Sequence, residues 1–242
     1  GLGDVYKRQL QWINPMAADI NEFALQSANA QFSNSLFFNR NSKRFSAEYS
    51  WVKQENKILL ANGYDARSLN KNQLNFRFNI SSKIALETTL SQGQNTSFAD
   101  YTSGRNFQII QQEVKPQFIY QEGSLLRISM AGSLTQKSNS ILYGGQTAAA
   151  KSLEASWKIN RSEKGSLTGS LKYIYFDFNG NAISAVGYEM LEGLRPGTNW
   201  TWNLSFQKII GKNLQLSLNY GGRFVEGQKI VHTGGMELRA YF

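Results

Sequence analysis

The chain has 242 residues, of which 41% are hydrophobic and 18% charged, and it contains 3 prolines and no cysteine. The lack of cysteine excludes disulfides and thiolate metal sites. No run of about 20 apolar residues is present to form a membrane-spanning helix. The formal net charge of +9 would suit a nucleic-acid surface, but the basic residues are dispersed from Lys7 to Arg239 with acids between them. We therefore expect no nucleic-acid partner.

The amino-terminal segment gives little sign of regular structure. Residues 1–9 resemble a translated adaptor sequence and are left out of the fold prediction. Asn14 followed by Pro15 could cap a short helix that runs to Phe23, although a connector is an equal alternative. The sequence thus predicts a connector or truncated, artefactual segment over 1–30 and one β-domain over 31–242.

From residue 31 onward, apolar and polar residues alternate in stretches of about ten. In 44–51 the odd positions are apolar and the even positions are polar or charged, and the pattern recurs in 73–80, 84–90, 114–120, 126–134, 153–159, 167–173, 200–207, 214–220 and 236–242. A period of two is typical of strands with two different faces. With 31–40 included, about eleven strands are predicted.

Alternation alone does not separate a soluble sheet from a membrane barrel. A secreted β-sandwich or β-solenoid would bury the apolar face, and it remains the alternative prediction. Strand length favours the barrel, because a strand that crosses the outer membrane needs about 9 to 11 residues, more than the usual five or six. We therefore predict an all-β, antiparallel transmembrane β-barrel of about 11 to 12 strands in the cell outer membrane.

The connections between the predicted strands alternate in length. Short turns are predicted at 41–43, 81–82, 121–123, 161–165 and 210–213, and longer outer loops at 53–70, 94–104, 137–147 and 179–196, with 225–228 as a tight exception. Residues 56–67 and 183–194 are counted as loop here, although both could extend as hairpin arms. Short periplasmic turns opposite long outer loops are typical of outer-membrane barrels. Aromatic residues fall near both ends of the strands: Trp51, Tyr173, Tyr175, Trp200, Trp202 and Tyr220 outside, and Tyr120, Trp157, Phe206 and Phe242 inside.

The charged residues occupy the phase opposite to the apolar residues and are predicted to face the lumen. These lumen-facing candidates are Arg44, Glu48, Arg77, Lys83, Glu87, Glu113, Lys115, Arg127, Glu154, Lys158, Lys172, Glu237 and Arg239. Such a face could line a water-filled conduit, or its charges could pair and leave a packed membrane anchor. Both alternatives stay open.

The carboxyl end carries the features of an assembly signal. Gly235, Met236, Leu238, Ala240 and the final Phe242 resemble the terminal β-signal of clients of the outer-membrane assembly machinery. Together with 59–64, 187–197 and 198–202, this ending resembles the C-terminal region of large outer-membrane proteins of Bacteroidota. The resemblance implies a membrane location and possible upstream domains of the same protein. Outer-membrane lipid and lipopolysaccharide phosphates are further expected partners of the basic chain.

No catalytic or metal-binding group is evident. His232 is the only histidine, and without cysteine it lacks the partners of a zinc or iron site. It is interpreted as a rim residue of the last strand, and we predict neither enzyme activity nor a cofactor. The odd strand count predicts that the chain is not a whole barrel, because bacterial single-chain barrels have an even number of strands. We expect that upstream strands have been lost by truncation.

Overall fold

The computed structural model describes residues 27–60, 63–161, 165–211 and 213–240. They form one eleven-stranded antiparallel sheet in which the strands pair in sequence order. The strands are β1 (Ser27–Phe38), β2 (Phe45–Leu60), β3 (Gly63–Asn79), β4 (Ile84–Ala99), β5 (Phe107–Glu122), β6 (Leu126–Asn139), β7 (Thr147–Arg161), β8 (Gly165–Asn179), β9 (Gly197–Ile209), β10 (Leu214–Val225) and β11 (Val231–Ala240). The predicted all-β, antiparallel, barrel-type fold of about eleven long strands is confirmed. Within the described residues β1 and β11 do not pair, so the sheet is not closed.

The strands run from 10 to 17 residues, well beyond the length usual in globular proteins. Among the described residues, two short 3-10 turns, Ser103–Arg105 and Ile141–Tyr143, and one six-residue helix, α1 (Ala185–Met190), lie in the connections. A sandwich needs a second sheet on the apolar face, and the part of the chain that the structure describes contains a single sheet. The alternative prediction of a β-sandwich is therefore wrong for these residues.

The predicted outer loop 53–70 is largely strand, and the predicted loops 94–104 and 137–147 are strand in part. Residues 53–60 and 63–70 continue β2 and β3 as a paired hairpin, from Lys53 opposite Asn70 to Leu60 opposite Gly63. Likewise β4 continues to Ala99 and β6 to Asn139. The reason is that backbone pairing needs no apolar side chains, so the ladder continues where the apolar alternation ends. Residues 140–146 and 180–196 lie between strands, and the second of these ranges holds α1.

The predicted short turns agree with the structure. β1 and β2 are joined by 39–44, β3 and β4 by 80–83, and β5 and β6 by 123–125. Parts of the two remaining turns, 162–164 and 212, lie outside the described residues. β1 begins at Ser27, so it extends four residues into the predicted connector. The possible helix from Asn14 to Phe23 also lies outside the described residues.

The sheet has two chemically different faces, which we name by their relation to α1. The inward face is the one that α1 contacts, and it carries the buried residues Phe107, Ile109, Ala148, Ile174 and Phe176. The outward face carries large apolar side chains that are exposed, such as Met130 at 60% and Leu153 at 67%. This is the reverse of a soluble protein, in which the more apolar face of a sheet packs against the core.

Candidate functional site: a polar inward face with a helix at one end

Helix α1 is held in a defined turn at the outer end of the inward face. The hydroxyl of Ser184 caps the helix by accepting a hydrogen bond from the backbone N–H of Gly187 at 3.0 Å. A Cβ at Gly187 would collide with the backbone at Asn181 and Ala182, so glycine is required there. Beyond the helix, Gly193 has a φ of +74°, which lets the chain turn back toward β9.

The helix and the residue after it insert apolar side chains against the sheet. Met190 and Leu191 are fully buried. Met190 packs with Phe107 and Ile109 of β5, while Leu191 packs with Ile174 and Phe176 of β8. One six-residue helix therefore contacts strands that are three places apart in the sheet. The sheet must curve around α1 for this to happen, which makes the inward face concave.

Two polar side chains of the sheet fix the same segment to its middle. The ammonium group of Lys137 on β6 donates to the carbonyl oxygen of Met190 at 3.1 Å and to Oε1 of Glu192 at 2.8 Å. Its side chain is only 6% exposed, whereas that of Glu192 is 52% exposed. On β4, Nδ2 of Asn95 donates to Oε1 of Glu189 at 2.9 Å. The chain from α1 to Gly197, which we call the α1 segment, is thus held against β4, β5, β6 and β8.

A buried asparagine closes the C-terminal side of this segment. Asn199 on β9 is fully buried. Its Nδ2 donates to the carbonyl oxygens of Arg195 at 2.8 Å and Gly197 at 3.1 Å. At Thr198, the backbone N–H donates to Oε2 of Glu226 at 2.7 Å, which links the segment to the end of β10. The residues 187–197, which were noted for their resemblance to large outer-membrane proteins, therefore form one compact unit on the inward face.

The structure places eleven of the thirteen lumen-facing candidates in strands, and all eleven have the inward phase. They are Glu48, Arg77, Glu87, Glu113, Lys115, Arg127, Glu154, Lys158, Lys172, Glu237 and Arg239. The strand register places each of them on the same face of the sheet as the residues that α1 contacts. The other two, Arg44 and Lys83, lie immediately before β2 and β4. Whether this face borders an open lumen stays a prediction.

Several inward charges form ion pairs. Nη1 of Arg77 lies 2.7 Å from Oε1 of Glu87, its register partner on the next strand. Nζ of Lys115 on β5 lies 3.6 Å from Oε2 of Glu154 on β7, across the intervening β6. Within β11, Nε of Arg239 lies 2.7 Å from Oε1 of Glu237. Part of the inward charge is therefore neutralised locally.

One further pair lies at the level of the short turns. Nζ of Lys83 donates to Oε1 of Glu122 at 2.7 Å. This hydrogen bond and the attraction between the two charges raise the pKa of Lys83 and lower the pKa of Glu122. Both side chains are about half exposed, so the pair is of the surface type that contributes little to stability.

The apolar belt of the outward face shifts steadily along the sheet. One register row joins Phe45 on β2 to Leu171 on β8 and Gly222 on β10 through the strands between them. On β2 the belt begins at this row, but on β10 it extends eight residues beyond it, to Leu214. The belt therefore shifts by about one residue per strand, which is ~3.4 Å along a strand for every ~4.8 Å across the sheet. With this shift, the belt lies parallel to the plane of a membrane when the strands tilt by about 35°. This value agrees with the tilt of outer-membrane barrels.

Lysines and aromatic rings mark the two borders of the belt. Outward-phase lysines follow it at Lys53 and Lys151 on the loop side and at Lys208 on the turn side. Tyr173 and Trp200 contact each other at 4.9 Å between ring centroids on the loop side. Aromatic side chains at both borders are typical of membrane barrels.

His232 belongs to this aromatic border. Its Nδ1 lies 2.9 Å from the hydroxyl of Tyr220, and its ring lies 5.7 Å from that of Trp202. Among the described residues, no group of three or more His, Asp or Glu side chains could hold a metal ion. The predicted assembly-signal residues Gly235, Met236, Leu238 and Ala240 lie in β11, with the last three in the outward phase. Phe242 lies outside the described residues.

Sequence reasoning missed Lys137 and the whole α1 contact. It assigned 137–147 to a loop, whereas Lys137 lies in β6 and is buried. A usable signal was present, because Ser129, Ala131, Ser133 and Thr135 have the same phase and lead directly to Lys137. Continuing that phase would have placed its side chain on the inward face.

The geometry defines a class of protein: a long-stranded, antiparallel β-meander of the barrel type, with apolar residues outside and polar residues inside. No helix among the described residues is long and apolar enough to span a membrane.

No family model matches the chain, and no curated protein matches it. Among solved structures, the chain is similar to in-vitro folded OmpT, an outer membrane protein of Vibrio cholerae, with a TM-score of 0.46 and 6% identity over 89% of this chain and 96% of that one.

Proposed function

We propose that this chain is an integral β-barrel wall of the cell outer membrane that serves as a conduit or membrane anchor, with its outer mouth narrowed by the α1 segment. The observation that carries the proposal is the reversed polarity of the sheet. Apolar side chains are exposed on the outward face, while the buried cluster around Met190 and Leu191 lies on the polar inward face. Hydrocarbon is the environment in which an exposed apolar face of this size is stable.

A conduit is supported by the character of the inward face away from α1. Strand positions there carry small or polar residues, such as Ser129 and Ser156, whose hydroxyls share a hydrogen bond of 2.7 Å. Beside α1 a cavity of about 310 Å³ remains, bordered by Lys71, Gln111 and Glu189. The segment thus narrows the mouth on one side and leaves polar space on the other.

An anchor without a pore is supported by the ion pairs of Arg77 with Glu87 and of Lys115 with Glu154, because paired charges can fill an interior. No catalytic step is part of either form of the proposal. Insertion by the outer-membrane assembly machinery, directed by the β11 sequence, is part of both.

The first test is membrane integration of the complete protein. We expect it to require detergent for extraction and to migrate differently on gels before and after heating. Recovery as a soluble monomer without detergent would contradict the membrane proposal as a whole.

The second test is conductance across a planar bilayer. A steady open conductance that increases when α1 is detached supports the conduit. A silent bilayer, with the protein correctly inserted, supports the anchor.

A further inference from the structure

A row of amide side chains crosses the outward face directly above the apolar belt. Asn72 on β3 is the register partner of Gln92 on β4, Gln92 of Gln112 on β5, and Gln112 of Gln136 on β6. On β7 the first polar outward residue above the belt is Lys151, the register partner of Leu134. We call the four amide residues the amide row, and Lys151 lies at its end.

The amide row interrupts the aromatic border. At this level β2 carries Tyr49 and Trp51, and β8 carries Tyr175, but the five strands between them present amides and a lysine. The indole and phenol groups are preferred at a bilayer interface because each is apolar at one end and polar at the other. Four successive strands carry amides instead, and the fifth carries a lysine. Oδ1 of Asn72 already accepts from the hydroxyl of Tyr49 at 2.8 Å, whereas the side chains of Gln92, Gln112 and Gln136 are exposed.

The row also borders a groove in the outward face. The groove has a volume of about 710 Å³ and extends from Tyr49 on β2 to Lys151 on β7. Its apolar side is formed by Leu90, Val114 and Leu134, each 38% to 59% exposed. Its polar side is the amide row. The groove is therefore amphipathic, with its apolar half toward the belt.

The charge of the groove is also defined. Lys151 is exposed at one end. Glu113 borders the groove, but its side chain has the inward phase, where its Oε2 accepts from the hydroxyl of Ser91 at 3.5 Å. The outward-pointing part of the groove thus combines neutral amides with one cation. Amides both donate and accept hydrogen bonds, and an ammonium group pairs with phosphate.

We propose that this groove binds the headgroup of a phosphorylated glycolipid of the outer leaflet. Its acyl chains lie on Leu90, Val114 and Leu134, its sugar hydroxyls bind the amide row, and its phosphate binds Lys151. The inference deepens the membrane proposal and depends on it, because the apolar belt must lie in the bilayer for a lipid to reach the groove. A phospholipid without sugars would leave the amide row without matching hydroxyl groups.

The test uses the complete protein in detergent micelles, with a purified bisphosphorylated diglucosamine lipid as the probe and phosphatidylglycerol as the comparison. Native mass spectrometry measures the fraction of protein that retains each lipid. We expect at least fivefold weaker retention of the glycolipid for Lys151→Gln, and for the double variant Gln112→Ala with Gln136→Ala. The matched control is Lys208→Gln, an outward lysine at the opposite border of the belt, for which a change below twofold is expected.

Three results would overturn the proposal. Equal losses for Lys151→Gln and Lys208→Gln would show only general attraction to a cation. Retention of phosphatidylglycerol equal to that of the glycolipid would show that the sugar hydroxyls do not contribute to binding. A dimer that dissociates in the amide variant, with lipid retention unchanged, would assign the groove to a second copy of the chain. Failure of the membrane proposal is seen separately, since the wild-type protein would then need no detergent.

Discussion

Replacing Lys137 with methionine should detach the α1 segment from the sheet while leaving the barrel wall intact. The substitution removes the bonds to the carbonyl oxygen of Met190 and to the carboxylate of Glu192. Methionine keeps most of the apolar stem, so the packing of β6 changes little. The effect should therefore be confined to the inward segment.

The magnitude follows from the exposure of the two partners. Breaking a fully buried ion pair costs about 3–5 kcal/mol, because a charge is left buried without a partner. Here the side chain of Glu192 is 52% exposed, so its carboxylate is hydrated once the ammonium group is removed. The main loss is then one charge-assisted hydrogen bond to the carbonyl of Met190, and hydrogen bonds to charged groups contribute about 1.5–3 kcal/mol. A net loss of about 2 kcal/mol corresponds to a roughly 30-fold larger detached population.

Hydrogen exchange measures that population directly. The N–H groups of Tyr188 and Leu191 donate within the segment, to the carbonyl oxygens of Ser184 and Gly187, both at 2.9 Å. Their exchange should accelerate about 30-fold in Lys137→Met, whereas Lys158→Met, which removes an exposed inward lysine from the other end of the face, should leave it unchanged. Unaltered protection in Lys137→Met would refute the claim that this lysine holds α1.

Three further predictions concern the outward face and assembly. Leu171→Arg should destabilise the membrane-inserted protein by about 2–4 kcal/mol while Ser170→Arg is tolerated, measured by unfolding in lipid; equal damage at both sites would indicate a sheet buried on both faces. In Gly169→Ala, the added methyl group should displace the indole ring of Trp157, which packs directly on Gly169, at a cost of about 1–3 kcal/mol. We expect a shifted tryptophan emission and a lower heat-modification temperature, and an unchanged spectrum would argue against this packing. Deleting Phe242 should reduce surface assembly more than deleting one residue of the β7–β8 turn does, and normal surface display would remove the signal argument.

The side-chain phase could be predicted from the sequence because it is a local property of a strand. Successive residues point to opposite faces, so a correct strand assignment fixes the face of every residue in it. The phase of Glu48 and of Lys172 was predicted correctly for this reason, although five strands lie between them in the sheet. The short turns were predictable for a related reason, since each lies between two clear alternating stretches.

The contacts between distant strands could not be predicted in the same way. Lys137 and Met190 are 53 residues apart in sequence and meet only because the sheet curves around α1. The pair of Lys115 with Glu154 passes over β6 and also depends on that curvature. The lengths of the outer loops could not be predicted for a different reason. Polar strand pairs such as Lys53 with Asn70 lack the alternation of apolar residues by which a strand is recognised in a sequence.

The remaining prediction concerns the two edges of the sheet. In a meander of eleven antiparallel strands, β1 and β11 run in the same direction, so direct closure would require a parallel pair. Hydrocarbon cannot satisfy unpaired backbone groups, so both edges must be paired when the protein is in a membrane. We expect the partners to be strands from outside the eleven described, because even strand numbers are the rule in bacterial single-chain barrels.

Cysteine cross-linking in native membranes tests this expectation. A cysteine at Leu36 on β1, scanned against single cysteines along β11, should give no cross-link. The register partners Leu218 and Met236 on β10 and β11 provide the positive control, and as a cysteine pair they should cross-link readily. Because a disulfide requires Cα atoms within about 7 Å, a β1–β11 cross-link as efficient as the control would mean that the eleven strands close on themselves.

The same reasoning predicts that these 242 residues, expressed alone, aggregate even in detergent through their unpaired edges, and a monodisperse, protease-resistant barrel would contradict it.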